Sequence, residues 1–359
     1  MTVFIFILVL GFMVFVHELG HFLVAKRAGI KVEEFGFGYP PRLIGVRRGE
    51  TIYSINLIPL GGFVRMLGEN GDSPSPASFG NAGKRWRSAV LLAGPLMNIV
   101  LSAFIFAGAY SVGWPTPTQT EVQVYTVVPG SPAEAAGLRD GDVVISAGGQ
   151  AISKSSDLKD VTMQHLGQPV VIELERGGQP LTLQVTPRTT WPEDEGPMGV
   201  GLWDRTTKME PISYSIPNAL WLGAQRTGEA IALTFYVPVM LIRGLIPADL
   251  ARPVGPVGIY QITSQAAQET ISTGWLFPLL SIAGMLSAGL GLANLLPVPG
   301  LDGGRFVFIV LEAIRGRRVS PEREGMIHFA GIVFMLSVVA IITYYDLLSP
   351  VSVDWSGFR

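Results

Sequence analysis

A chain of 359 residues that is 48% hydrophobic and only 15% charged, with a mean hydropathy of +0.40, is too apolar for an ordinary soluble protein. It is read as a membrane protein. The net charge of -2 is uninformative about nucleic acid, and with no basic stripe carrying interleaved aromatics that class of partner is set aside. The absence of cysteine excludes a disulfide framework, a thiolate nucleophile and a Cys-ligated zinc, so any metal must use carboxylates and the 4 histidines.

Val3 to Val24 is almost wholly apolar and long enough to cross a bilayer. Met1-Thr2 supplies no basic start for a cleavable signal, so residues 1–25 are read as a retained first transmembrane helix. Within it lies His17-Glu18-Leu19-Gly20-His21. On a helix, H-E-x-x-H puts both imidazoles on one face, close enough to grip one metal ion, with a carboxylate beside them to handle a water proton. Ionisable groups at that depth are costly and therefore point to function.

Residues 26–88 form a loop carrying 10 Lys/Arg against 5 Asp/Glu, which the positive-inside rule places in the cytoplasm. Val32 to Pro41, Leu43 to Val46 and Thr51 to Ile58 read as short strands, with Arg47 to Glu50 as the turn between the last two. They are either a plain surface hairpin or a sheet edge able to pair with an extended peptide near the metal. Leu57 to Val64 suggests partial membrane contact, and Glu69 to Gly83 is a polar, Gly/Ser/Pro/Asn-rich loop. Residues 89–113 are the second transmembrane helix, interrupted by Gly94-Pro95-Leu96-Met97-Asn98; Asn98 is either an interhelical hydrogen bond or a contact near the active site.

From Trp114 the composition turns soluble. The Gly130 to Ile152 string, GSPAEAAGLRDGDVVISAGGQAI, holds a Ser131 cap, Pro132 at the first helical position and Gly137 just past the end. That string, and the strand and helix order over 120–190, resembles the circularly permuted PDZ domains of bacterial envelope proteases. His165 reads as an ordinary exposed helix residue. Residues 191–275 are read as a linker (Trp191 to Pro211) and interfacial helices, with Ile212 to Ile246 too short and too broken by Pro238 to span. Residues 276–304 are a third transmembrane helix ending in Asn294 to Gly304, NLLPVPGLDGG. Residues 326–348 are the fourth, after the basic cluster Arg315, Arg317, Arg318 and Arg323. Both termini then lie outside the cytoplasm.

A catalytic zinc takes three protein ligands and a water. Asp302 is the leading third ligand, since it follows a Pro/Gly-broken helix end on the same side as the histidine pair; His328 is the competitor. Asp346 is placed at the far end of the last span, and Glu312 is read as a solvated charge.

With HELGH in the first span, a PDZ string between the second and third, and NLLPVPGLDGG after the third, the chain resembles the site-2 proteases. These are intramembrane zinc metalloproteases, and the likeness is greatest to the bacterial RseP/RasP group. The resemblance implies Zn2+ held by His17, His21 and Asp302, and Glu18 as the catalytic carboxylate. It implies Asn294 as a substrate-binding or oxyanion-side amide and a substrate-facing hairpin edge matched by Gly36 and Gly38 of EFGFGYP; GPLMN matches a second-span motif of the family, and its Asn98 is counted with these as substrate-binding. One PDZ domain is apparent where some relatives have two. The expected architecture is a polytopic α-helical membrane protein: four transmembrane helices, a cytoplasmic-side membrane-associated β-hairpin and an extracytoplasmic circularly permuted PDZ domain of α+β type. The expected function is hydrolysis of transmembrane segments of single-pass proteins in the bacterial inner membrane, after a first cut by another protease. The PDZ domain would meet a peptide C-terminus or an ectodomain remnant. A non-catalytic PDZ-bearing membrane scaffold is the alternative, and an ion transporter is disfavoured by four spans without an inverted repeat.

Overall fold

The computed structural model describes residues 1–69, 73–192, 195–247 and 252–358, apart from the side chains of Leu60 and Ser356. Parts of the expected polar loop (70–72), of the linker (193–194) and of the stretch after Ile246 (248–251) lie outside the described residues. The elements run α1 (Thr2–Arg27), β1 (Val32–Arg48), β2 (Thr51–Met66), α2 (Lys84–Gly113), β3 (Trp114–Val127), α3 (Pro132–Ala135), β4 (Val143–Ala147), β5 (Gln150–Ala151) and α4 (Ser155–Gln164). They continue with β6 (Val170–Arg176), β7 (Gln179–Val185), β8 (Val200–Ile212), α5 (Ile216–Ile242), α6 (Pro256–Thr273), α7 (Phe277–Leu295), α8 (Asp302–Arg315) and α9 (Pro321–Leu348). The chain divides into two units, Met1–Trp114 with Ser213–Trp355, and Pro115–Ile212 with Ser356–Arg359.

In the first unit, α1, α2, α7 and α9 are long and apolar enough to cross a membrane. Lipid tails offer helices no hydrophobic incentive to associate, so close packing through small residues and interhelical hydrogen bonds must do it. The hub is α2, which packs on α1, α5, α7 and α8. Ser102 Oγ donates to Gly284 O of α7 at 2.8 Å, and Ser287 Oγ of α7 donates to Asn98 O at 2.8 Å. Helix α7 stops at Leu295, and Asp302 opens a separate helix, so the expected 276–304 span is two helices joined by a Pro-broken loop.

The region after α1 is two long strands rather than three short ones. Bulges fold β1 and β2 so that four segments lie side by side in the order 42–48, 51–56, 34–37, 62–66. Gly36 pairs with Ser54 on one edge and Phe63 on the other. Glu34, 3% exposed, pins the sheet by accepting from Arg42 and Arg65.

Two further expectations are corrected here. Ile212 to Ile246 is not broken at Pro238: α5 runs through it, and its first half lies along α2, with Thr227 Oγ1 3.2 Å from Ser102 Oγ. Tertiary packing on α2 supplies what the local sequence lacks. Glu312 is not a solvated charge, for it is 8% exposed and bound by Arg87 at 2.8 Å and Arg318 at 3.2 Å.

The second unit is a sheet in the order β7-β6-β4-β3-β8, with β5 on β4, packed on α3 and α4. Val122, Val124, Val144, Ile172, Leu174 and Val185 face one core with Leu158 and Val161 of α4, as period-2 and helical spacing dictate. Ser131 Oγ caps α3 by accepting from Glu134 N, while Glu134 Oε2 accepts from Gly130 N at 2.6 Å. His165 ends α4 half-buried, its Nδ1 donating to Val161 O at 2.8 Å. The expected linker from Trp191 to Pro211 is corrected: residues 200–212 are strand β8, zipped to β3, with Val128 N donating to Gly199 O. The Pro/Gly content of 192–201 hid a strand whose Val200 and Leu202 pack on the core.

Asp142 is wholly buried, with Arg176 donating from Nε to Oδ1 and from Nη2 to Oδ2, both at 2.7 Å, and Arg139 N donating to Oδ2 at 2.9 Å. Burial raises its carboxyl; the Arg176 fork and the Arg139 amide outweigh that and hold it below the usual carboxylate range. A depressed folded value means the stabilisation is complete above the unfolded value near 4 and drains away as pH falls below it. Asp142→Asn is expected to cost about 3 kcal/mol by leaving Arg176 unpaired. In the full chain this is read as faster hydrogen exchange of the β4 and β6 amides at neutral pH, with the gap from wild type closing as wild type is acidified below pH 4.

Candidate metal centre

The site begins with the close approach of α1 and α2. A Cβ built on Gly20 would stand 2.5 Å from Ala93 O, and one on Gly94 would strike the His21 ring and lie 2.8 Å from His17 Nε2. Only glycine at both positions lets the helices touch while leaving room for two imidazoles between them. His17 and His21, one helical turn apart, are 8% and 6% exposed. Their Nε2 atoms are 3.1 Å apart and lie 3.1 and 3.3 Å from Asp302 Oδ2. Asp302 arrives in the first turn of α8, and the three ligand-type atoms all lie within 4.8 Å of one another.

The partners of the rings show that a cation fits. His21 Nδ1 donates to Val90 O at 2.7 Å, which fixes the tautomer with a lone pair on Nε2. His17 Nδ1 lies 3.3 Å from the Asn98 amide, while Asn98 Oδ1, fully buried, has no hydrogen-bond partner among the described residues. A half-turn of that amide lets His17 Nδ1 donate to Oδ1, satisfying the orphaned oxygen and turning the Nε2 lone pair toward Asp302. Two imidazole lone pairs and a carboxylate oxygen then converge within about van der Waals contact. Without a cation they repel; two nitrogens and an oxygen are a donor set that suits zinc.

Glu18 lines the same cavity of about 430 Å³, together with Tyr39, Gly62 to Val64, Met66, Asn294 and Asp302. Its Cγ would be 3.2 Å from a Cβ on Gly62, so the hairpin backbone comes up against the Glu18 side chain. Asn294 Nδ2 donates to Leu290 O at 3.0 Å, which leaves its second amide proton available to the cavity.

The structure therefore gathers His17, Glu18, His21, Asn294 and Asp302 and sets the other three expected residues elsewhere. Gly36 and Gly38 do not line the cavity: Gly36 is paired on both edges, and Gly38, at φ +80°, carries its bend over Ile58 O. Of the two outer segments of this sheet, 42–48 and 62–66, each paired on one side, the one that borders the cavity is 62–66. Asn98 is not a substrate contact, since it is 0% exposed behind His17. His328 is not a third ligand; its Nδ1 accepts from Gly300 N at 2.8 Å. Asp346 accepts from Gly255 N and Gly258 N at the start of α6.

The missed residues are Gly62 to Met66. Gly61-Gly62 inside an apolar strand is the signal for close backbone approach that could have found them.

A helix-borne H-E-x-x-H met by a carboxylate from a second helix, both within a bundle of membrane-length helices, defines a membrane-embedded metallohydrolase centre. Residues 5–338 match the profile of Peptidase family M50, and the chain belongs to that family. The site-2 protease resemblance in the sequence is thereby borne out. The chain is 27% identical to the regulator of sigma-W protease RasP of Bacillus subtilis, over 96% of this chain and 98% of that protein. It is 29% identical to the zinc metalloprotease RasP of Geobacillus kaustophilus, over 95% and 96% of the two. Among solved structures, the PDZ domain of an SdrC-like protein from Listeria monocytogenes aligns at 23% identity over 24% of this chain and 92% of its own, with a TM-score of 0.22, a value that supports no structural conclusion.

Gly94→Ala improves helix propensity yet forces the imidazoles aside. The expected outcome is a folded protein whose zinc content, measured by atomic absorption after purification in detergent, falls at least about tenfold below wild type.

Proposed function

We propose that the protein is an intramembrane zinc endopeptidase that cuts transmembrane segments of single-pass membrane proteins. The observation that carries this reading is the convergence of His17 Nε2, His21 Nε2 and Asp302 Oδ2 in one cavity with Glu18, under an unpaired strand edge. His17, His21 and Asp302 hold the metal. When bound, zinc supplies Lewis acidity toward the scissile carbonyl and makes water ionisable near neutral pH. Glu18 takes the water proton and returns it to the leaving amine. Asn294, with one amide proton uncommitted, donates to the developing oxyanion.

A helical substrate cannot be cut, because its amides are tied in i to i-4 bonds and its turns cover the scissile carbonyl. The Gly62 to Met66 edge replaces those bonds by strand addition, so an unwound segment crosses the cavity without orphaned backbone groups. Segments rich in weak helix formers follow as preferred substrates. The basic loop around the hairpin supports an orientation in a bacterial inner membrane with this side facing the cytoplasm and both termini and residues 115–212 outside it.

In that unit a cavity of about 670 Å³ runs between α4 and β8, lined by Leu158, Thr162, Met163, Gly199, Val200 and Leu202. The sequence likeness to PDZ domains supports this groove, lined also by Gly196 to Gly199, as the site for a peptide C-terminus or ectodomain remnant left by an earlier cut.

The test is cleavage of a single-pass substrate in detergent, with bound zinc measured in parallel. Glu18→Gln is expected to keep zinc and lose cleavage by at least about 1,000-fold, and Asp302→Asn to lose zinc. Wild-type activity in Glu18→Gln would reduce the protein to a scaffold. For the edge, a Gly/Pro-containing substrate segment is expected to be cut at least about tenfold faster than its poly-Leu counterpart; equal rates would remove strand addition from the mechanism.

A further inference from the structure

The loop that presents Asp302 has few means of holding its own shape. Residues 296–301 leave the helical path, and Pro297 and Pro299 carry no N–H. Val298 N and Leu301 N bond within the segment, to Leu296 O and Val298 O. Gly300 N alone of these three reaches outside it, to His328 Nδ1 on α9 at 2.8 Å. Gly300 sits at φ +102°, two residues before the ligand.

Helix α9 is tied to α6 at its far end through Asp346, but the apolar window through which it would cross a membrane holds no buried residue. Its inner turns close on this loop. Gly331 packs on Pro299 O, its added Cβ only 2.6 Å from Pro299 Cβ, while a Cβ on Gly300 would meet Ile332 at 2.9 Å and Met335 at 3.0 Å. The His328 ring is set by Phe308 of α8, centroids 5.3 Å apart, with Glu324 Oε1 3.8 Å from Nε2. Because Nδ1 accepts a backbone N–H, the neutral ring carries its proton on Nε2, which has no hydrogen-bond partner among the described residues. The bond that matters is thus the one to Gly300.

We propose that His328 is a positioning residue: its Nδ1 clamps Gly300 and so holds the carboxylate of Asp302 at the distance that closes the metal triad. This rests on the zinc endopeptidase reading above. A ligand held by a proline-broken loop swings with the loop; the imidazole removes that freedom from outside the segment. Outer partners of this kind change metal affinity or turnover by roughly 10- to 100-fold.

The discriminating variants follow from the shapes of the side chains. Asn places its amide oxygen where Nδ1 stands and can accept from Gly300, whereas the oxygen of Gln reaches only toward the Nε2 position. Full-length wild type, His328→Ala, His328→Asn and His328→Gln are compared in detergent for zinc release to a chromogenic chelator, for kcat and KM on one single-pass substrate, and for thermal unfolding. Ala and Gln are expected to release zinc at least about tenfold faster and to lose about tenfold in kcat, with KM within about twofold. Asn is expected to restore both quantities to within about threefold of wild type. Zinc release and kcat in Ala equal to wild type would overturn the proposal, as would Ala, Asn and Gln impaired alike, which would reduce His328 to packing. A wild type that binds no zinc overturns the metalloprotease reading itself, a result distinct from either.

Discussion

Everything at the metal centre depends on how closely α1 and α2 approach. Gly20 lets the backbone of Ala93 come against α1, and Gly94 leaves the volume into which His17 and His21 fold. The same contact brings Val90 O within 2.7 Å of His21 Nδ1 and the Asn98 amide within 3.3 Å of His17 Nδ1. The surface that packs the helices is therefore the surface that sets the ring tautomers. In lipid, where helices gain nothing from hiding apolar area, such contacts must come from shape and polar partners, and here they serve the chemistry as well.

The third atom of the triad reaches the pair from 285 residues away in sequence, and its delivery is a different physical problem. A carboxylate in the middle of an apolar helix would be expensive to expose, whereas a helix that stops and restarts offers it from a turn. Leu295 ends α7, two prolines prevent continuation, and Asp302 opens α8, where the positive end of the helix dipole also favours its charge. A break of this kind loosens the chain as it exposes the ligand. The packing of Gly300 and Gly331 against α9 answers that loosening and gives a role to a helix that otherwise lies at the edge of the bundle.

Residues whose meaning is local were legible in the sequence. The i, i+4 imidazoles of HELGH, the Pro/Gly break before Asp302, the Ser131 cap and the Arg47 to Glu50 turn each follow from spacing over a few positions. Residues whose meaning depends on register were not. EFGFGYP reads as the strand by the metal until the bulges of β1 and β2 place Gly36 between two neighbours and leave the edge to Gly62 to Met66. Asn98 reads equally as a helix contact or a site contact until its burial behind His17 shows that it touches the ring and not the cavity. Glu312 looks like any charge near a basic cluster, because Arg87, its partner, is 225 residues away. Strand β8 was hidden by the glycines and prolines of the 192–201 sequence that leads into it, which weaken local propensity while β3 supplies the hydrogen bonds from outside.

The open edge at Gly62 to Met66 stands apart from the rest of the fold because it is unpaired where pairing is most valuable. The Gly62 backbone faces Glu18, within a helix long and apolar enough to cross a membrane, and on the intramembrane reading its free N–H and C=O groups would carry a high cost for an unmet hydrogen bond. A protein can lower that cost by filling the edge with its own chain, as it has done on both sides of Gly36. Here the edge borders a cavity of about 430 Å³ instead. On the endopeptidase reading, the two costs cancel: a substrate segment drawn out of its helix has lost backbone hydrogen bonds, the edge has never had them, and each supplies the other beside the Glu18 carboxylate that moves the proton.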